Sequence, residues 1–162
     1  MISKKKLNDY LATLSKEDLI KEVEKLFQKF PLVQQYYTMD LGEDSSALLE
    51  EFKRKMEKIF FPRGFGVDPK MSEANKLITA FSKISVYVVD VIDLMLYKAE
   101  LSIKLFQTWG SEFPTVENSL ASIYNKAIDL IHKHHLEEYF VDRCSKIEEY
   151  GINFGLLNKT LL

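Results

Sequence analysis

Cysteine is almost absent from this 162-residue sequence, which contains only Cys144. A single cysteine cannot form a disulfide within the chain, so the sequence is not that of a secreted protein built on disulfides. Glycine and proline are also scarce, with 6 and 4 residues. Because these two residues most often interrupt regular structure, their scarcity favours helices joined by short connections.

Neither sign of charge dominates the sequence, since 22 basic residues face 24 acidic ones. The balance gives no general attraction to nucleic acid or to an anionic membrane. The longest apolar run, around residues 86–96, is broken by two aspartates and is shorter than the ~20 residues that span a bilayer. The first residues lack the apolar segment of a signal peptide. The composition therefore predicts a cytoplasmic protein with no membrane partner.

Apolar residues recur at helical spacing through most of the chain. Leu19, Val23 and Phe27 follow one another at intervals of four residues, as on one face of an amphipathic helix. Similar patterns predict about seven or eight helices, the longest over residues 86–109. A chain of this length is typical of one domain. The predicted fold is therefore all-α, a single domain over residues 1–162 with helices packed as hairpins in an irregular bundle or short solenoid.

Local signals predict where several helices begin and end. Ser15, followed three residues later by an aspartate, has the spacing of a capping box at a helix start. Pro31 and Pro114 suit first helical positions, because proline lacks the N–H that is unpaired there. Gly110 and Gly151 suit positions just after helices, where the backbone often turns left-handed. A further helix is predicted over residues 46–60, with a non-helical loop after it.

Three carboxylates interrupt the most apolar part of the sequence, VYVVDVIDLMLYKAE, at Asp90, Asp93 and Glu100. At 100° per residue they fall within about 80° of one another on the helix. They could form a narrow polar edge exposed to water on an otherwise buried helix. Alternatively, they could line a groove and bind a cation or a basic partner. Unpaired buried carboxylates are costly, so the exposed edge is the favoured interpretation.

All three histidines lie in the segment HKHH, at residues 132–135. Imidazole and carboxylate groups are common metal ligands, so a metal site is a second functional hypothesis. Its candidate ligands are Asp90, Asp93, Glu100 and His135. The favoured alternative is a helix end, where histidine interacts well with the negative end of the helix dipole. The Glu-x-x-His pairs typical of di-metal helical bundles are missing from the sequence.

The most basic local segment lies between residues 53 and 70, and phosphate groups could bind there. A third hypothesis is therefore weak nucleic-acid binding. Its candidate residues are Lys53, Arg54, Lys58 and Arg63. The interleaved Glu50, Glu51 and Glu57 dilute the positive charge, so a solvated helix face is favoured and nucleic acid is not the expected partner.

Motifs of enzymes and cofactor sites are also missing, including G-x-S-x-G, the P-loop, H-E-x-x-H and the dinucleotide fingerprint. Cys144 has core spacing from Phe140 and Ile147, which predicts a buried thiol and not a nucleophile. We therefore expect no cofactor and no catalytic residue. The 11 phenylalanines and 8 tyrosines instead suit an apolar or aromatic groove. The leading prediction is a non-enzymatic interaction module that binds a protein partner or a second copy of itself.

Three segments carry a resemblance to a known family: SKKKLNDYLATLSKEDL near the start, VIDLMLYKAEL in the middle, and ENSLASIYNKAIDLIHKHHLEEYFVDRCSKI towards the end. In this order they resemble a family of small bacterial proteins classed as a domain of unknown function. The resemblance covers nearly the whole chain. It implies a short, cytoplasmic, all-helical protein, and it implies no activity, cofactor or catalytic residue.

Overall fold

The computed structural model describes residues 2–42, 46–62, 69–110, 114–153 and 157. Contacts between residues divide the chain into two compact units, residues 1–43 and residues 44–162. The described residues form eight α-helices and no strand, which confirms the all-α fold class. That the whole chain is one domain stays a prediction. None of the eight helices is both long enough and apolar enough to cross a membrane.

The first unit contains three helices. They are α1 (Lys4–Leu11), α2 (Lys16–Lys29) and α3 (Pro31–Leu41). At the start of α2, the Ser15 hydroxyl accepts the Asp18 N–H at 3.1 Å and donates to the Asp18 carboxylate at 2.7 Å. The first of these bonds satisfies one backbone donor that a helix start leaves unpaired, and the second holds the two side chains together. Pro31 occupies the first position of α3, so both predicted helix starts are confirmed.

The second unit contains five helices, four of which pack around the fifth. They are α4 (Ser46–Phe60), α5 (Met71–Ile84), α6 (Val88–Trp109), α7 (Pro114–His134) and α8 (Glu137–Asn153). The central helix α6 packs against each of the other four. Twelve of its 22 residues are buried, which explains why its sequence is apolar on most sides. The core of this unit therefore lies along α6.

One predicted helix boundary and one predicted backbone conformation differ from the structure. The central helix begins at Val88 and not at residue 86, because the Ser85 hydroxyl accepts the Tyr87 N–H at 3.3 Å and donates to the Tyr87 carbonyl at 2.9 Å. This local turn separates α5 from α6. Gly110 follows α6 with φ +78° and ψ −171°, so it adopts positive φ as predicted but not the left-handed helical conformation.

Gly151 was predicted to end the last helix, and that prediction is wrong, since α8 continues to Asn153. The glycine has a different role. A Cβ atom at this position would lie 2.5 Å from Cδ1 of Leu157, which packs against the helix here. The Leu157 N–H also donates to the Gly151 carbonyl at 3.0 Å. Gly151 therefore makes room for Leu157, a residue of the core of the second unit.

Candidate functional site

The carboxylates of α6 are paired with an arginine from α8. Arg143 binds Glu100 through two hydrogen bonds, with Nε to Oε1 at 2.5 Å and Nη2 to Oε2 at 2.9 Å. Its Nη1 lies 3.0 Å from Asp93 Oδ2, and its Nη2 also donates to the Asp93 carbonyl at 3.3 Å. A planar guanidinium suits such bidentate binding of a carboxylate. Arg143 thus joins α8 to two positions of the central helix that are seven residues, or about two turns, apart.

A second cation, Lys53 from α4, reaches the same cluster. Its Nζ lies 2.8 Å from Asp93 Oδ1 and 3.1 Å from Glu50 Oε1. The contact with Asp93 is an ion pair only, because its geometry does not satisfy that of a hydrogen bond. Burial by itself would lower the pKa of Lys53, but the interactions with Asp93 and Glu50 outweigh it and raise the pKa above its ordinary value.

Asp90 lies one turn before Asp93 and is partly buried. Its Oδ2 atom is buried and has no hydrogen-bond partner within the described ranges. The polar stripe on α6 is therefore not a row of carboxylates along an exposed edge. Asp93 and Glu100 belong to an ion-pair network that connects α4, α6 and α8. Sequence reasoning placed the acidic residues on one side of the helix correctly but did not identify Arg143.

The four candidate metal ligands do not come together in this structure. His135 is exposed and follows α7 with φ 55°, in the turn before α8. In the described residues, no three histidine, cysteine or carboxylate side chains form a group that could hold a metal ion. Asp93 and Glu100 are instead bound by Arg143. Metal binding by Asp90 and the other candidates stays a prediction.

The helix end predicted for the histidine segment is observed, because α7 ends at His134. His132 Nδ1 lies 2.9 Å from Glu137 Oε1 in the first turn of α8. The pKa of Glu137 is lowered by a hydrogen bond from its own backbone N–H and then by the interaction with His132. These contacts stabilise the turn between α7 and α8. They also explain why polar residues cluster in this turn.

Three of the four candidate nucleic-acid contacts lie in the described residues, and two of these three are exposed. Lys53 turns towards Asp93, and its side chain is only 17% exposed. Arg54 and Lys58 are exposed on α4. Arg63 lies outside the described residues. The basic segment therefore provides fewer free cations than its sequence suggests, and nucleic-acid binding stays a prediction.

The central helix also buries a lysine that sequence reasoning missed. The Lys98 side chain is inaccessible to solvent and donates to Asn75 Oδ1 and Ser119 Oγ, both at 2.6 Å. Across the described part of the chain, no carboxylate forms an ion pair with it. Burial, with a smaller contribution from Lys126, lowers its pKa to about 8. The available signal was its spacing of three and four residues from Met95 and Leu94, both core positions.

Cys144 is buried, as predicted. It lies next to a hydrogen-bonded pair in the core, Tyr124 and Glu148. The hydroxyl of Tyr124 donates to Glu148 Oε1 at 3.0 Å and approaches the Cys144 carbonyl at 3.4 Å. Burial raises the pKa of the Cys144 thiol, which keeps it protonated at neutral pH. The cysteine therefore lacks the properties of a reactive thiolate.

Several large apolar side chains of the first unit are exposed. We define the interaction face as four residues of α2 at helical spacing: Leu19, Val23, Leu26 and Phe27. These side chains are 36% to 45% exposed, and no residue of α1 or α2 is buried. By contrast, α4 has a comparable amphipathic pattern and buries its apolar face: Leu49, Phe52, Met56 and Phe60. Helix α3 covers part of this face, since Phe27 contacts Tyr37, and the remaining area of these four side chains is exposed.

An open groove of about 420 Å³ lies beside the interaction face, between α2 and α3. Its lining residues are Val23, Glu24, Phe27, Gln28, Tyr37 and Leu41. The Phe27 and Tyr37 rings contact each other, with centroids 6.3 Å apart. Aromatic side chains at such positions supply large contact areas when a partner covers them. The first unit therefore exposes apolar and aromatic side chains beside this groove.

The described residues form an all-helical protein in which ion pairs and hydrogen bonds hold the polar clusters and the apolar side chains of α2 are exposed. The chain belongs to a family of unknown function, DUF6155, whose family model matches residues 2–160. This match confirms the resemblance to a family of uncharacterised function. No curated protein and no solved structure matches the chain.

Proposed function

We propose that this protein is a non-enzymatic protein-interaction module of the bacterial cytoplasm, and that a second copy of the chain binds its interaction face. The main support for this proposal is the difference in burial between the apolar faces of α2 and α4. The amphipathic face of α4 is buried, whereas Val23 and its neighbours on α2 remain exposed. A contiguous exposed apolar face on a folded protein usually marks a site of association.

A partner that covers the interaction face removes its remaining apolar area from water, and this burial favours binding. Fully burying one large apolar side chain contributes about 1.5–3 kcal/mol. The side chains of the interaction face retain 36% to 45% of their accessible area, so covering the face provides several kcal/mol before association costs. Because association itself costs several kcal/mol, a stable complex also requires contacts with the partner's own surface, and none of these contributions requires a catalytic or metal-binding group.

A second copy is the partner we favour for two reasons. Most oligomers of soluble proteins are formed by identical chains. The chain also carries an apolar groove lined by three lysines between α4 and α5, so a second copy brings a surface opposite in charge to the glutamates of α2. The ion pairs of Asp93 and Glu100 with Arg143 leave those carboxylates less suited to an external ligand.

We predict that Val23→Glu weakens self-association by about 2 kcal/mol, or roughly 30-fold, because it places a charge in the centre of an apolar contact. The mass distribution by native mass spectrometry, followed from about 1 µM to about 100 µM protein, measures this change. Val141→Glu is a matched control, since Val141 is 43% exposed on α8 and Val23 is 41% exposed on α2.

The control variant is expected to associate like the wild type. A wild-type chain that remains monomeric over the whole concentration range would contradict the proposed function. So would equal weakening by the two substitutions, because the effect would then not depend on the interaction face.

A further inference from the structure

We infer that the interaction face of one copy docks into a groove between α4 and α5 of a second copy. We call this groove the lysine groove. Its lining residues are Lys55, Lys58, Ile59, Glu73, Lys76, Leu77 and Ala80. The inference rests on the proposed function and adds to it the receiving surface and the charges that select the partner.

The shape and floor of the lysine groove suit an apolar helix face. The groove encloses about 470 Å³, and its floor consists of the half-buried side chains of Ile59, Leu77 and Ala80. Ile59 comes from α4, whereas Leu77 and Ala80 come from adjacent turns of the neighbouring helix α5. Together they form an apolar strip between the two helices. A helix that lays an apolar stripe into such a strip is a common mode of protein recognition.

The rim of the groove carries two cations that the described residues do not neutralise. Lys55 forms an ion pair with Glu51 at 2.6 Å, and Glu73 forms one with Lys70 at 3.6 Å. Lys58 and Lys76 are exposed and form no ion pair within the described ranges. The groove therefore presents two uncompensated positive charges beside an apolar floor, and a partner with matching carboxylates would be favoured.

Helix α2 has the complementary arrangement. Glu17 and Glu24 are seven residues apart, which places them two turns and ~10.5 Å apart along α2, about 60–80° around the helix from Phe27. Both are exposed, and neither forms an ion pair in the described part of the chain. Two other acidic residues of α2 are compensated, because Asp18 pairs with Lys21 and Glu22 pairs with Lys25.

Both surfaces are apolar, and Glu17 and Glu24 are opposite in charge to Lys58 and Lys76, while Lys16 of α2 is a further exposed cation on the side of the interaction face. The apolar side chains of α2 would cover Ile59, Leu77 and Ala80. Glu17 and Glu24 would then approach Lys58 and Lys76. Nucleic acid fits this groove less well, because a floor without aromatic rings offers no stacking surface for bases.

The test uses two variants that each remove one half of the contact. Lys58→Glu/Lys76→Glu alters the groove and leaves α2 intact, whereas Val23→Glu alters α2 and leaves the groove intact. We expect each variant alone to associate at least about tenfold more weakly than the wild type. An equimolar mixture of the two is expected to form heterodimers in native mass spectrometry, because one chain supplies an intact α2 and the other an intact groove. Restored association also shows that both variants are folded.

A charge exchange provides the second measurement. Adding Glu17→Lys/Glu24→Lys to the groove variant is expected to recover most of the lost affinity, since opposite charges again face each other. Lys83→Glu/Lys133→Glu is the matched control, because these exposed lysines lie on α5 and α7 outside the groove lining. It is expected to associate like the wild type.

The outcomes separate this inference from the proposed function. If Lys58→Glu/Lys76→Glu self-associates as strongly as the wild type while Val23→Glu does not, the groove assignment is overturned and the interaction module stands. If the mixture of the two variants stays monomeric, the groove assignment is likewise overturned. A wild-type chain that is monomeric at every concentration overturns the proposed function itself.

Discussion

Lys98→Met is expected to be more stable than the wild type at about pH 7, by about 1–2 kcal/mol. The wild-type core holds an ammonium group whose only described partners are the neutral Asn75 and Ser119. Methionine fills a similar volume and needs no hydrogen bond, so replacement removes the cost of burying a charge. Asn75 is exposed and can bind water instead.

The same lysine makes the stability of the wild type depend on pH. Its pKa is lowered from 10.5 to about 8 in the folded chain. Below about pH 8, Lys98 is protonated in both the folded and the unfolded chain, so the full cost of burying its charge reduces stability. As the pH rises towards 10.5, the folded state loses the proton while the unfolded state keeps it, so stability increases. The gain attributable to Lys98 is at most about 3 kcal/mol.

Urea unfolding at a series of pH values between 7 and 10.5 measures this effect as the difference between wild type and variant. The advantage of Lys98→Met is expected to shrink as the pH rises. Lys83→Met, which alters an exposed lysine of α5, is the control and should change stability little at any pH. A constant difference between wild type and Lys98→Met across the series would show that the buried lysine does not titrate in this range.

Arg143→Met is expected to lower the free energy of unfolding by about 2–3 kcal/mol. The substitution leaves Glu100 without its described cation and leaves Asp93 with Lys53 alone. Breaking a fully buried ion pair costs about 3–5 kcal/mol. The expected loss is smaller here, because the Arg143 side chain retains 25% of its exposure and water can reach the carboxylates.

Urea unfolding at neutral pH compares this variant with Lys55→Met, which removes the exposed ion pair to Glu51 and should cost less than about 1 kcal/mol. Adding Glu100→Gln to Arg143→Met is expected to recover part of the loss, since it removes the uncompensated charge. If Arg143→Met and Lys55→Met lower the free energy of unfolding by the same amount, the network around Arg143 contributes no more than a surface ion pair.

Signals within a few residues allowed several helix boundaries to be predicted. Ser15, Pro31 and Pro114 act on their own first turns, so their effect can be read without knowing the tertiary structure. Gly151 was misread because its contact is with Leu157, whose packing depends on the folded chain. A local pattern therefore identifies a glycine but not which of its properties the structure uses.

The site was harder to predict because its contacts join distant parts of the sequence. Asp93 and Arg143 are 50 residues apart, and helical periodicity places each on a face without identifying the opposite face. The same limit applies to α2 and α4. Their patterns are alike, yet one apolar face is covered and the other is exposed. Periodicity predicts that a face is apolar but not what packs against it.

The lack of buried side chains in α1 and α2 has a consequence for local order. Isolated helices shorter than ~12–15 residues are marginal in water, and these helices contain 8 and 14 residues. Their amide hydrogens should therefore exchange rapidly with solvent in dilute protein, whereas those of α6 should exchange only when the second unit unfolds. Docking would slow the exchange of α2, so that part of the binding energy would be used to hold this helix formed. The apparent affinity would then depend on the fraction of copies in which α2 is already helical.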